Sequence, residues 1–498
     1  MVTECNQSQL LFEGHFSRHV VAEFSGDQLS TEGGALLLRE ADRKIGLLRR
    51  VADCFTDTRQ PERVEHRLPE MLAQRIYGLA LGYEDLNDHE QLRNDPLLAV
   101  LAGKREIEQP LAGKSTLNRL ELTPSGSPLP ERYHKIGYSP AAIDQLLVKI
   151  FLEAHTRAPR QIVLDLDATD TPLHGKQEGR FFHGYYGHYC YLPLYIFCGD
   201  HLLCSRLRPS NQDASAGSIT ELERIVAQIR AQWPKVRIIL RADSGFCREE
   251  LMAWCESHRV DYVFGFARNE RLRRKIAGAM HEAKREHQRT AKPARVFAEF
   301  FYRTRNSWSQ SRRVVAKAEQ IEGKENPRYV VTSLGKSEWL AQALYEQLYC
   351  ARGEMENRIK EQLSLFSDRL STETMRANQL RLYFSSLAYV LLDALRRIGL
   401  VGTEWAQAQA GTIRLRLLKI AAQVRVTARR IRVCYSHAYP WKPLFAAAWS
   451  ALRCGTPSCV NHLRPASGNQ GEIRLQRLRN ILPSLSPLSA TIASHLPN

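Results

Sequence analysis

The 498-residue chain carries 70 Lys and Arg against 53 Asp and Glu, a net charge of +17, with 44% hydrophobic and 25% charged residues. Those proportions exclude a disordered or fibrous chain and are those of ordinary globular protein, and no run approaches the roughly 18 apolar residues of a membrane span. The length is too great for one compact core, so several domains are expected. The basic excess calls for a polyanionic partner, most simply nucleic acid. Met1–Gln7 offers neither a basic region nor an apolar run of the secretory kind, so a cytoplasmic protein is expected. None of the eleven cysteines is spaced Cys-x-x-Cys, and they read as reduced, mostly buried thiols. A zinc set of Cys434, His437, Cys454 and Cys459 fits no standard finger spacing.

Residues 1–135 read as a mainly helical, DNA-binding N-terminal region. Ser30 or Thr31 begins a helix through Leu36, Leu37, Leu38 and Ile45, and further apolar spacings run through Leu72, Ile76 and Leu79 and through Leu97 and Leu101. Ser115 or Thr116 caps a short helix with Leu117 and Leu120, and the proline-rich stretch from Thr123 to Arg132 reads as a linker.

A helix from Pro140 to His155 opens the region 136–293. Strands follow at Gln161–Asp167, Tyr189–Cys198 and His201–Arg208, then a helix at Ser218–Gln232. Val236–Asp243 is a buried strand that stops on an acid, Ser244-Gly245 turns the chain, and a helix runs from Cys247 to His258. Val260–Ala267 is a fifth strand and Asn269–Arg289 a long charged helix. Three strands, then helix, strand, helix, strand, helix is the order of a ribonuclease-H-like mixed-sheet core. Residues 294–336 read as a β-rich insertion into it, with strands at Val296–Thr304, Arg312–Gln320 and Tyr329–Ser333. Between Ala294 and Lys317, Arg295, Arg303, Arg305, Arg312, Arg313 and Lys317 face the lone acid Glu299, and Trp308 sits at the expected hairpin tip. A basic hairpin of that kind suits tracking phosphates and stacking an indole on a base, although a core Trp beside a solvated basic face has the same pattern.

Residues 337–400 are expected to complete the core with helices, Ser337 capping the first from Glu338 to Leu370 and a second running from Met375 to Arg397. Residues 401–455 read as a basic helical region, where Arg414, Arg416, Lys419, Arg425, Arg429, Arg430 and Arg432 suggest a phosphate-contacting surface. The Ser/Pro/Asn-rich tail, 456–498, reads as poorly ordered. The fold class is therefore multidomain α+β: a mixed-sheet catalytic core interrupted by a β-rich insertion, between helical N- and C-terminal regions.

Asp165 and Asp167 end the first core strand on one face, since strand side chains alternate, and Asp243 ends the later strand. Such strand ends are where open α/β sheets place ligands, although Asp243 also suits the capping of the turn that follows. On the helix beyond, Tyr349, Arg352, Glu356, Lys360 and Leu363 share one stripe, with Arg352 and Glu356 spaced to pair. Three carboxylates from two strands and a helix suit a pair of divalent cations for phosphodiester displacement, and an oxygen-only set favours Mg²⁺, with Mn²⁺ able to substitute.

Tyr349-x-x-Arg352-x-x-x-Glu356 resembles the Tyr-2-Arg-3-Glu-6-Lys signature of cut-and-paste DDE transposases. Leu164–Thr169, the turn His174–Gly179, Arg241–Phe246, Ser307-Trp308 with Arg312–Val315, and Leu417–Ala421 are similar to the bacterial insertion-sequence family numbered 1380, over roughly residues 10–450. The resemblance implies a transposase that cuts at the terminal inverted repeats of its own element and joins the ends to target DNA, in a dimeric synaptic complex. It implies Asp167, Asp243 and Glu356 as the metal-binding triad, with Asp165 the alternative first member. The signature lysine falls on Leu363, and Lys360, one turn earlier, is the substitute on that face. A metal-dependent nuclease on the same core, or a DNA-binding protein derived from a transposase, are the rival readings.

Overall fold

The alternation Ile162, Leu164, Leu166 against Val163, Asp165, Asp167 sends one set of side chains to each side of a strand. In the computed structural model, which describes residues 9–24, 28–122 and 135–454, that strand is Gln161–Ala168, and it lies inside a nine-stranded mixed sheet. The order across the sheet is His201–Arg206, Leu194–Cys198, Gln161–Ala168, Arg237–Ala242, Asp261–Phe266, Arg328–Thr332, Arg312–Ile321 and Ala294–Tyr302, with the short Lys324–Glu325 strand added to Arg312–Ile321. The first three are antiparallel neighbours, while Arg237–Ala242 runs parallel to the strands on both its sides. Helices Ser218–Gln232 and Glu249–Ser257 make the connections that parallel pairing demands. The expected order of three strands, helix, strand, helix, strand is therefore present.

Several expectations need amendment. Tyr189–Cys198 is two strands, because Pro193 breaks the ladder: His188–Tyr191 joins a small sheet with Thr171–Pro172 and Phe181–His183, and only Leu194–Cys198 enters the large one. The strands expected as an insertion extend that large sheet, Arg328–Thr332 pairing antiparallel with Asp261–Phe266. In the region 401–455 the Arg-x-Arg stretch is not helical but a hairpin, Ala422–Thr427 with Arg430–Tyr435. Val424, Val426, Ile431 and Val433 alternate with arginines at period two, which is strand spacing.

Ile162, Leu164 and Leu166 pack with Leu222, Ile225 and Ile229 of one connecting helix and Leu251 and Cys255 of the other. On the opposite face Ile239, Val263, Val315 and Val330 are covered by Leu344, Tyr345 and Leu348. The carboxylates of the Gln161–Ala168 strand face this second side. Helix Met375–Ala394 is capped by the Thr374 hydroxyl, which accepts from the Ala377 amide, and is buried on nearly every side. It joins the sheet to the N-terminal helices, among them Leu36–Ile45, Leu68–Leu81, Pro96–Ala102 and Lys114–Glu121. A hairpin of Gln9–His15 and Arg18–Glu23 precedes them where no strand was expected. The expected linker Thr123–Arg132, Met1–Gln7, Cys459 and the tail 456–498 lie outside the described residues. Among the described residues no helix is long and apolar enough to cross a membrane.

Candidate active site

The register that sets Ala242 opposite Leu166 carries Asp243 to the level of Asp167, at the C-terminal ends of adjacent parallel strands. Asp243 caps the short turn Ser244–Phe246, its Oδ1 accepting from the Gly245 amide at 2.8 Å. Capping therefore fixes the direction of the carboxylate and is compatible with a chemical role for its other oxygen. Asp167 Oδ1 accepts from the Ala168 amide at 2.9 Å.

Glu356 comes from the helical segment that covers this face. The segment winds unevenly: Ala341–Ala343 is α-helical, Leu344–Tyr349 a π turn, Cys350–Arg352 a 3₁₀ turn, and Gly353–Ser364 α-helical again. It is shorter than expected at both ends, and Leu340 rather than Ser337 takes its N-cap. The Arg352 guanidinium bridges two acids, donating to Asp167 Oδ2 at 3.2 Å and to Glu356 Oε1 at 2.9 Å. Burial raises the Asp167 carboxyl to about 6; Arg352 opposes that rise, and the charges of Asp243 and Glu356 add to it. Three acids from three elements thus share one electrostatic neighbourhood, in which their mutual repulsion is held down by a single arginine.

Gly265 completes the arrangement and carries no signal in the sequence. A Cβ there would lie 2.6 Å from the Tyr349 hydroxyl and 2.9 Å from the Ser244 amide nitrogen. Only a glycine lets Tyr349 approach the turn that aims Asp243. Asp165, by contrast, is withdrawn from the site. Arg241 on the neighbouring strand grips it with Nε at 2.5 Å and Nη2 at 2.8 Å, and both side chains are buried. Arg241 also donates to the Leu348 carbonyl, tying the pair to the covering segment. Both oxygens of Asp165, the alternative first acid, are thus engaged in a buried ion pair.

The family model of the Transposase DDE domain group 1 matches residues 12–456. The chain belongs to that family. Among solved structures it is similar to the piggyBac transposase in a synaptic complex with hairpin DNA, at 10% identity and a TM-score of 0.40, over 94% of this chain and 90% of that one. No curated protein matches it.

Several residues expected at a DNA surface of this transposase serve the fold instead. Trp308 is 5% exposed and packs against Phe266 and Tyr302, at ring distances of 5.0 and 5.9 Å. Its loop turns inward because the Trp308 amide donates to Thr304 Oγ1 and Arg303 Nε donates to the Trp308 carbonyl. Arg312 is buried between Glu249 and Glu256, and Arg313 binds Glu299 and the carbonyls of Leu334 and Trp339. Arg414 donates to the Ala80 and Ser364 carbonyls at two helix ends, and Lys419 pairs with Glu32 over the Tyr83 ring. Arg303, Arg305 and Arg416 remain exposed, as does Lys360 one turn beyond Glu356.

Sequence reasoning also missed the small sheet that follows Asp167. Its strand Thr171–Pro172 starts four residues after that acid, and His188 Nε2 lies 2.7 Å from Asp170 Oδ2. Burial together with the charges of Asp170, Asp167, Tyr185 and Asp243 pushes the Tyr186 hydroxyl up to about 12, so this loop stands within electrostatic reach of two of the three acids.

Proposed function

We propose that this transposase belongs with the bacterial insertion sequences of the 1380 family and works on a ribonuclease-H-like core. It binds the terminal inverted repeats of its element, cleaves the ends by phosphodiester hydrolysis and joins them to target DNA, as a homodimer spanning two ends in the nucleoid. Asp167, Asp243 and Glu356 are its catalytic acids. The supporting observation is the Arg352 bridge between Asp167 and Glu356, with Asp243 on the adjacent strand end.

Among the described residues no three Asp, Glu, His or Cys groups are already close enough to hold a metal ion. The donor set nevertheless fits Mg²⁺ or Mn²⁺: all its atoms are carboxylate oxygens, and Asp167 is raised partly by its acidic neighbours, a repulsion that bound cations relieve. Asp167, Asp243 and Glu356 would hold the ions, which when bound activate the attacking oxygen and stabilise the leaving one. The chain's own contribution is positional. The Gly245 amide fixes Asp243, Tyr349 against Gly265 fixes the turn, and Arg352 keeps Asp167 and Glu356 together. In the first displacement a water oxygen attacks the scissile phosphorus and the bond to the 3′ oxygen breaks, leaving a 3′-hydroxyl. In the second, that hydroxyl attacks a target phosphorus, and the target's own bond from phosphorus to its 3′ oxygen breaks, so that one phosphodiester replaces another and a target 3′-hydroxyl leaves.

The test uses DNA carrying the repeats that flank the gene, with Mg²⁺. Asp243→Asn is expected to cut cleavage at least about a hundredfold while end binding persists. Cleavage at the wild-type rate by the folded variant would overturn the assignment. Random nicks without joined products would make the protein a nuclease, and binding without cleavage by the wild type a non-catalytic derivative.

A further inference from the structure

The hairpin formed by Phe181–His183 and His188–Tyr191 shows water an unusual amount of aromatic surface for a segment beside catalytic acids. Tyr185 at its tip is 87% exposed and Phe182 57%, and Phe181 and Tyr189 are also exposed. Large apolar side chains grouped in this way mark a binding surface. Cross-strand partners share a face, so Phe182 and Tyr189, whose rings meet edge to face at 5.6 Å, line one side. Arg180 lies 3.8 Å over the Tyr189 ring, adding a cation to that side. His183 and His188 occupy the other side with Tyr186, whose ring is 4.8 Å from His183.

The base of the hairpin is fixed. Tyr191 donates to the Glu178 carbonyl at 2.6 Å, Ser210 to the Phe181 carbonyl at 3.0 Å, and Glu178 is bound through its amide and carboxylate to Glu373 and Met375. The Asp170–His188 contact and the pairing of Thr171 with Tyr191 tie it to the segment that leaves Asp167. A firmly held platform therefore ends in an aromatic tip. Nothing among the described residues covers Tyr185, and its ring meets only Tyr186, at 5.1 Å.

We propose that this hairpin is a nucleobase-binding site, in which Tyr185 at the tip stacks on an unpaired base of the DNA strand lying at the catalytic acids. The proposal rests on the reading of those acids as a DNA-cleaving centre. A flat π surface with one cation matches a base and its phosphate, and base–aromatic stacking is tolerant of sequence. Arg180 would meet the backbone on the Tyr189 side.

The experiment measures binding in the presence of a chelator, so that it is independent of cleavage. Two probes are used: a duplex of the gene-flanking repeat, and the same duplex with one unpaired base, replaced by 2-aminopurine, beside the cleavage position. The wild type is expected to prefer the unpaired probe by about tenfold or more and to quench its fluorescence. Tyr185→Ala should lose most of that preference and the quenching, and Tyr185→Phe should keep both. Equal preference in wild type and Tyr185→Ala would overturn the proposal. So would an equal loss on both probes, or a change in oligomeric mass on substitution, which would make the tip a protein interface. Failure of the cleavage reading is separate, because it would show as unchanged cleavage by Asp243→Asn.

Discussion

Gly265→Ala sets two effects of opposite sign against each other. Gly265 lies within the strand Asp261–Phe266 and its φ is not in the left-handed region, so the backbone accepts alanine. By conformational entropy alone the substitution would stabilise the strand by about 0.5–1 kcal/mol. The added methyl, however, would lie 2.6 Å from Tyr349 Oη, 2.9 Å from Ser244 N and 3.2 Å from Asp243 C, against a comfortable separation of about 3.5–4.0 Å. Two of those atoms are backbone and unable to swing away. Overpacking of this kind costs about 1–3 kcal/mol, so the net is a loss of roughly 1–2 kcal/mol.

The greater effect falls on the chemistry. Relief of the clash moves either Tyr349 or the turn that aims Asp243, and a displacement of about 1 Å at a reacting group costs on the order of a hundredfold in rate. The assay is single-turnover cleavage of an end duplex, with denaturant unfolding in parallel. Adding Tyr349→Phe removes the nearest contact but leaves the Ser244 nitrogen, so the double variant should recover stability more fully than cleavage. A Gly265→Ala protein that is more stable than wild type and cleaves at its rate would refute the steric argument.

Four further expectations concern other buried side chains. Trp308→Ala should destabilise by about 3–5 kcal/mol, as emptying a packed aromatic site does, with end affinity unchanged in the folded protein; a surface indole would instead lose affinity and leave unfolding unaltered. Asp165→Asn should destabilise by up to about 3–5 kcal/mol, because buried Arg241 is left without its counter-ion. Asp167→Asn should be neutral or stabilise by about 1–2 kcal/mol, since a carboxyl raised to about 6 works against folding at neutral pH, and should abolish cleavage. Unfolding and cleavage measured on both variants distinguish an acid that holds the fold from the acid proposed for catalysis. His89, fully buried with Gln74 at 3.1 Å, is lowered to about 3, first by burial and then by Arg75. The unfolded chain takes up this proton below about pH 6.5 and the native state does not, so stability is lost as pH falls from 6.5 towards 3. Between pH 7 and pH 5 the wild type should lose about 2 kcal/mol more than His89→Phe, and equal losses would disprove the linkage.

Much of the candidate site was legible because its signals are local. Alternation set Asp165 and Asp167 on one side, a buried apolar strand ended on Asp243, and the spacing of Arg352 and Glu356 gave an ion pair that the structure contains. What was not legible depends on partners far away in the chain. Asp165 and Arg241 are equivalent to any other acid and base until two strands 76 residues apart fall into register. Arg312 looks like part of a basic surface in its own segment, yet Glu249 and Glu256 on a helix some 60 residues earlier neutralise it. A cluster of positive charge in the sequence is thus a poor map of positive charge on the surface. The hairpin at 422–435 differs in kind: its strand signal is local, a period-two run of valine and isoleucine, but it is interleaved with arginines that are equally common on helix faces.

The winding of the segment before Glu356 links the fold to the chemistry. An unbroken α-helix from Ala341 would set Tyr349, Arg352 and Glu356 on one stripe, but they must meet different targets: Tyr349 the glycine beside the Asp243 turn, Arg352 the carboxylate of Asp167. The π turn Leu344–Tyr349 under-rotates the chain and the following 3₁₀ turn over-rotates it, so each residue is re-aimed while the axis of the segment continues. Leu344, Tyr345 and Leu348 remain on the sheet throughout, and the normal α spacing returns in time to pair Arg352 with Glu356. Irregular winding of this kind is uncommon in helices and concentrates at functional sites. Here its cost is offset by the apolar cover that the same turn lays over Ile239, on the strand that leads to Asp243, and over Val263 on the next strand.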